Sequence, residues 1–183
     1  MRALLTQTQS LHDLGDVQAI DASGFDRIAA SRKYAPRTNY TFKALKSTLL
    51  VDCSTGTILD VHCSTKQPHD TQVGQQLIER NLDRLSILTA DKGYDATDLR
   101  DVLRAHGVRP VIKHREFTPL DKARNVCQDD SVYHQRSAAE TAFRVLKQRF
   151  GDRLSSRTWY AQFRELVIRS AVKNIEDHVK AEG

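Results

Sequence analysis

The sequence predicts an α/β fold, a mixed sheet with helices packed on its faces. Three observations predict it: β-rich runs come first as a hairpin pair, a mostly apolar run of strand length stands mid-chain, and two long helical patterns close the chain. With 183 residues and 39% hydrophobic side chains, the chain can bury an ordinary core in one domain.

The first 16 residues are polar and weakly patterned. They read as a lead-in segment, or the stub of a truncated N-terminal region, ahead of a single domain over 17–183. Val17 to Asp21 is a short apolar strand that ends in an acid, and Ala22 to Tyr40 reads as a loop. Thr41 to Asp52 and Thr57 to Ser64 flank a short link containing Gly56, the pattern of a hairpin. Asp70 stands before apolar positions 73, 77 and 78 and is expected to cap a helix. Leu85 to Ala90 suits a central strand buried on both faces and leads directly into Asp91. A helix over 96–106 stops at Gly107. The strand Val108 to Lys113 carries Pro110, which assigns it to a sheet edge. His114 to Ser131, with Pro119 and no periodicity, reads as an exposed loop. Helices over 132–150 and 161–180 follow, and the second carries an apolar stripe at 163, 166, 167, 171, 175 and 179.

Several function classes fall away. No run approaches the ~20 apolar residues of a membrane span. The start lacks the charged and apolar regions of a signal peptide, so a cytoplasmic protein is expected. Cys53, Cys63 and Cys127 show no pairing pattern and read as reduced thiols; His62 beside Cys63 is too few ligands for zinc. The net charge is +5, and residues 134–169 hold eight Lys or Arg against three acids. Charge alone is as compatible with a solvated helix face as with a polyanionic partner.

Three acids stand out on this scaffold. Asp21 and Asp91 each follow a strand, where ligands gather in α/β sheets, and Glu140 lies in a late helix. At about 100° per residue, Arg136, Lys147, Glu140, Tyr133 and Arg144 fall within about 80° of one another. Ala139, Phe143, Leu146 and Phe150 form the adjoining apolar stripe. By spacing alone, ion pairs from Arg136 to Glu140 and from Glu140 to Arg144 explain this stripe as well as a site does.

Tyr133-x2-Arg136-x3-Glu140-x6-Lys147 resembles the Tyr-Arg-Glu-Lys motif of bacterial and archaeal DDE-class insertion-sequence transposases, of the insertion-sequence-four/five type. AIDASGF around Asp21 and LTADKGYDA around Asp91 resemble the family's first and second acid motifs. RTWYAQFREL, from Arg157, is similar to the stretch that follows the glutamate, so the resemblance runs from about Val17 to Ile175.

The resemblance implies a ribonuclease-H-like mixed sheet: three antiparallel strands, then alternating helix and strand, with flanking helices. It implies that Asp21, Asp91 and Glu140 are catalytic and hold two Mg²⁺ or Mn²⁺ ions, with Asp21 shared between them. Tyr133, Arg136, Arg144 and Lys147 would bind DNA. The implied activity is metal-dependent cleavage at element ends and strand transfer into target DNA. The implied partners are terminal inverted repeats and target DNA, with a homodimer assembled on them and no membrane. The 48 residues between Asp91 and Glu140 leave no room for the β-rich insertion of some relatives. Two rival classes are a catalytically inactive DNA-binding remnant and a ribonuclease-H-like nuclease. An aromatic pair such as Trp159 and Tyr160 is expected in the core rather than stacked on a base.

Overall fold

In the computed structural model, which describes residues 2–27, 44–66 and 69–183, the first strand is the axis of the sheet. This strand, β1 (Val17–Arg27), pairs antiparallel with β2 (Leu45–Asp52), which pairs antiparallel with β3 (Ile58–Ser64). On its other side β1 runs parallel to β4 (Ile87–Ala90), and β4 parallel to β5 (Arg109–Ile112). The order is β3-β2-β1-β4-β5, and the short β6 (Arg153–Leu154) pairs with the far end of β1. Pro110 thus lies on an edge strand, where its missing N–H costs no ladder bond.

Side-chain alternation gives each face its own core. Ala19, Phe25, Leu49 and Val51 pack against α6 (Ser137–Phe150) and α7 (Trp159–Glu182) through Ala139, Phe143, Leu146, Leu166 and Val167. Ile20, Leu50, Leu88 and Ala90 pack against α2 (Asp70–Glu79) and α3 (Thr97–Ala105) through Leu77, Ile78, Leu99 and Leu103. On β3 a register shift turns Leu50–Asp60 pairing into Val51–Ile58. The extra residue, Leu59, joins the α2–α3 side while Ile58 and Val61 both face α7. The first helix, α1 (Arg2–Gln9), inserts Leu5 into the α6–α7 core, so the lead-in is packed against the sheet.

Several boundaries differ from the sequence expectation. β1 continues to Arg27, through residues expected to be a loop, because β2 offers it a full antiparallel ladder from Gln18 to Phe25. The rest of that expected loop, and the start of the hairpin at 41–43, lie outside the described residues. Asp70 is the first helical residue of α2 and His69 takes the cap position. The expected loop 114–131 contains α4 (Pro119–Val126). Thr118 and Asp121 form its reciprocal capping box with Pro119 in the first turn, a local signal that outweighs the missing periodicity.

The expected helix 132–150 is divided into α5 (Asp130–His134) and α6. Between them, Gln135, Arg136, Ala138 and Ala139 donate to carbonyls three residues back. Such turns advance about 120° per residue instead of about 100°. Trp159 and Tyr160 are exposed at the start of α7 rather than in the core, Trp159 edge-on to Phe163 and Tyr160 under Arg164.

Candidate active site

β1 and β4 are parallel and paired through Ile20 and Ala90, so Asp21, inside β1, and Asp91, the first residue past β4, follow at adjacent positions on neighbouring strands. Strand parity decides their direction. Asp21 alternates with Ala19, which faces α6. Asp91 alternates with Thr89, whose hydroxyl donates to the Tyr133 carbonyl at 3.4 Å beneath α5. Asp91 keeps an extended backbone (φ −71°, ψ 163°) and opens a short 3₁₀ turn, Lys92–Tyr94.

The turn after Asp91 is held from both sides. Tyr94 is buried against α2 at Gly74, where a Cβ would come within 2.6 Å of its ring, so only glycine permits the approach. On the opposite side Arg115 donates to the carbonyls of Lys92 and Gly93, each at 3.2 Å, and its backbone N–H donates to Asp95 at 2.8 Å. Burial disfavours the Asp95 charge, but hydrogen bonds from Arg115 and Arg100 and the charges of Arg100 and His114 hold its carboxyl below the usual 3.8.

α6 supplies the third acid. As the helical stripe requires, Ala139, Phe143 and Leu146 are buried while Glu140 and Arg144 stay exposed. Glu140, Arg144 and Lys147 line one cavity of about 640 Å³ with Asp21, Ser23 and Asp152. Lys147 Nζ reaches Ser23 Oγ at 2.8 Å and lies 5.3 Å from the centre of the Phe25 ring. Arg136 pairs with Glu140 at 2.5 Å. Burial works against the Arg136 charge, but Tyr133, Glu140 and Asp91 together raise its pKa above the usual value. Arg136 therefore stands in the field of both Asp91 and Glu140.

Tyr133, expected beside Glu140 at the DNA surface, is only 6% exposed. Four steps at about 120° rather than about 100° rotate it toward the apolar stripe. Its ring lies between Lys113 Nζ, 4.5 Å from the centroid, and the Arg136 guanidinium at 5.4 Å. The basic segment 134–169 is partly spent on structure. Arg149 pairs with Glu176 and Asp177, and the buried Arg169 binds Glu165 and the carbonyls of Gly151 and Arg153. Ser23 and Asp152 escaped sequence reasoning. A strand continued past Asp21 would have signalled Ser23, two residues on and on the same face.

The side chains are of the kind that suits a hard divalent cation: Asp21 and Glu140 line one cavity without thiol or imidazole, while Asp91 stands at the end of the next strand, outside that lining. Burial pushes the Cys53 and Cys63 thiols up to about 12, so they stay protonated and are poor metal ligands. Among the described residues no three His, Cys, Asp or Glu side chains are close enough to enclose an ion. Arg136 holds Glu140, so a cation at that carboxylate would have to displace its guanidinium. Glu140 is 53% exposed, and opening such a pair costs about 1 kcal/mol or less, so Arg136 can give it up for another partner.

A family model described as "Transposase DDE domain" matches residues 13–175. No curated protein matches the chain. Among solved structures, the chain is similar to piggyBac transposase in a synaptic complex with hairpin DNA, with a TM-score of 0.57 and 15% identity over 93% of this chain and 49% of that one. It also matches the catalytic core domain of BIV integrase (TM-score 0.49, 13% identity, 91% of this chain and 95% of that one). A third match is the simian T-cell lymphotropic virus intasome in complex with the PP2A regulatory subunit B56 gamma (TM-score 0.45, 13% identity, 84% of this chain and 48% of that one). The chain thus spans about half the length of the piggyBac and intasome chains. The piggyBac likeness bears on fold, and the sheet order is that of a ribonuclease-H-like core.

Proposed function

The chain belongs to the transposase DDE domain family, and from that premise we propose that it cuts DNA at the ends of a mobile element and joins the freed ends to target DNA. The single observation that carries the site assignment is the register pair Ile20–Ala90: it is followed on both strands by an aspartate, the first of which lines one cavity with Glu140. Asp21 would be shared between two divalent cations, Mg²⁺ or Mn²⁺, with Asp91 holding one and Glu140 the other. Bound there, the ions would neutralise the scissile phosphate and make the nucleophile more acidic.

The chain's own residues do the rest. Arg136 leaves Glu140 and takes a phosphate oxygen, a geometry its planar fork suits. Arg144, exposed one turn further on, binds the next phosphate, and Lys147 stays at Ser23 as a fixed positive charge on the cavity wall. Tyr133 supports Arg136 and Lys113 through its ring face. In the first step a water oxygen bonds to phosphorus and the bond to the 3′-oxygen breaks, leaving a 3′-hydroxyl. That hydroxyl then attacks a target phosphodiester, and the target's own 3′-oxygen departs. We assign catalysis to residues 17–183, with α1 as a strut, and membership to the insertion-sequence-four/five type. DNA-bound homodimers in the cytoplasm would be the working form.

The test is nicking of supercoiled plasmid in Mn²⁺ or Mg²⁺, run beside a gel shift. The wild type nicks and Glu140→Gln does not, while both retain DNA. Wild-type nicking by Glu140→Gln refutes the assignment. A strand-transfer assay with an inverted-repeat end separates transposition from simple nuclease activity.

A further inference from the structure

Beyond the Asp91 turn, α3 and α4 bound a cleft of about 570 Å³. Its walls carry Arg104 from α3 and Arg124 from α4, and Arg100, Asp95 and Arg115 line it between them. Arg100 is spent on Asp95 at 2.7 Å and the Ile112 carbonyl at 2.9 Å. The two wall arginines are more than half exposed, and their pairs are loose, Arg104–Asp101 at 3.4 Å and Arg124–Asp121 at 3.8 Å. Such pairs hold a guanidinium weakly, so both remain available to an anion. Phe117 lines the same cleft and is 83% exposed, although it is a large apolar ring. On the opposite flank of α4, Lys92 and Lys113 pair with Glu116 and Asp130, and the exposed Lys122 adds a further positive charge.

We propose that this cleft is a second DNA-binding surface, one that takes the phosphate backbone of the duplex as it leaves the Asp91 end of the site. The inference rests on the DNA-cutting reading above. Three observations favour nucleic acid over another polyanion. Guanidinium forks stand on both walls, which suits successive phosphates. The ring of Phe117 lies among them, where a deoxyribose can pack. Arg115 joins the cleft to the site through the carbonyls of Lys92 and Gly93, immediately after Asp91, so a backbone held at Asp91 runs directly into it. α4 is fastened in turn by Asn125, which accepts from the His114 N–H at 2.7 Å and donates to the His114 carbonyl at 3.0 Å.

The experiment is a salt titration of the full chain binding a fluorescein-labelled duplex, read by anisotropy. It compares wild type with Arg104→Glu/Arg124→Glu and with Arg104→Lys/Arg124→Lys. Each lost phosphate contact removes about 0.9 from the log–log salt slope, so the glutamate variant is expected to lose about 2. It is also expected to bind at least ten-fold more weakly at low salt, while the lysine variant stays near wild type. All three keep the same thermal midpoint because the substituted side chains are exposed. Wild-type slope and affinity in the glutamate variant overturn the proposal. So does tighter binding of polyglutamate than of duplex by the wild type that the glutamate variant loses, since the cleft would then serve an acidic protein. A wild type that fails to nick plasmid, yet binds duplex through Arg104 and Arg124, sinks the catalytic reading and leaves this one standing.

Discussion

On one face of the sheet, two polar regions follow opposite rules. Where α7 crosses β3, Asn174 is fully buried and its amide is matched on both sides: it accepts from the Ile58 N–H at 2.9 Å and donates to the Ile58 carbonyl at 3.0 Å and Thr8 Oγ1 at 3.1 Å. Nearby Lys173 binds the Gly56 carbonyl and Asp177. Where α6 crosses β1, the charges stay at the surface, and Glu140 is held by an arginine that its proposed role requires it to give up. Buried polar groups in a low-dielectric interior stabilise only when fully paired, so the first region has one arrangement. Exposed ion pairs contribute little and can be exchanged, so the second can reorganise around ligand.

Substitutions should separate the two regions. The largest effect is expected from Asp21→Asn: a fall of about 10²–10³ in the nicking rate, the scale for removing one preorganised group that stabilises a transition state. The thermal midpoint should move little. A comparable fall in midpoint would assign Asp21 to stability instead. Next comes Asn174→Ala, which leaves the Ile58 N–H and carbonyl without their partner. It should cost roughly 2–3 kcal/mol and lower the Tm on the order of 5–10 °C, with nicking per folded molecule unchanged. Calorimetry and an active-fraction assay check both halves.

Asp95 tests the brace behind Asp91. Its folded pKa lies below the usual 3.8, so its stabilising effect is present above the unfolded value and is lost as pH falls through the folded one. Acid unfolding of Asp95→Asn should therefore show a shallower fall in stability below about pH 4 than the wild type. Identical acid limbs would remove Asp95 from the ledger. The smallest change in stability, about 1 kcal/mol or less, is expected for Arg136→Met, because its pair with Glu140 is exposed. The same variant should bind Mn²⁺ more tightly, by electron paramagnetic resonance titration, and DNA more weakly. Unchanged Mn²⁺ affinity would show that Arg136 does not compete for the carboxylates.

The fold was legible where burial repeats with a clear period. Leu85 to Ala90 announced a strand buried on both faces, and the 139, 143, 146 stripe announced the buried side of α6. Two elements were less legible, one for a local reason and one for a tertiary one. The Thr118–Asp121 capping box names a helix start without any apolar stripe, and the far half of β1 becomes a strand only because β2 lies beside it. The basic run 134–169 was visible as charge, but Arg149 and Arg169 look no different in sequence from Arg144. Only packing reveals which of them bind carboxylates and carbonyls.

By itself the sequence determined the mixed α/β architecture, the three carboxylates and the family they resemble, because periodicity and fixed motif spacing are local properties of a chain. Only the tertiary structure decided where those groups stand. The parallel register of β1 with β4 sets Asp21 beside Asp91. The tightened turn between α5 and α6 sends Tyr133 inward, and the approach of α3 to α4 gathers arginines from distant segments into one cleft. Each depends on contacts between residues far apart in the chain, whose strength is set by the packing of both partners and so cannot be read from either segment alone.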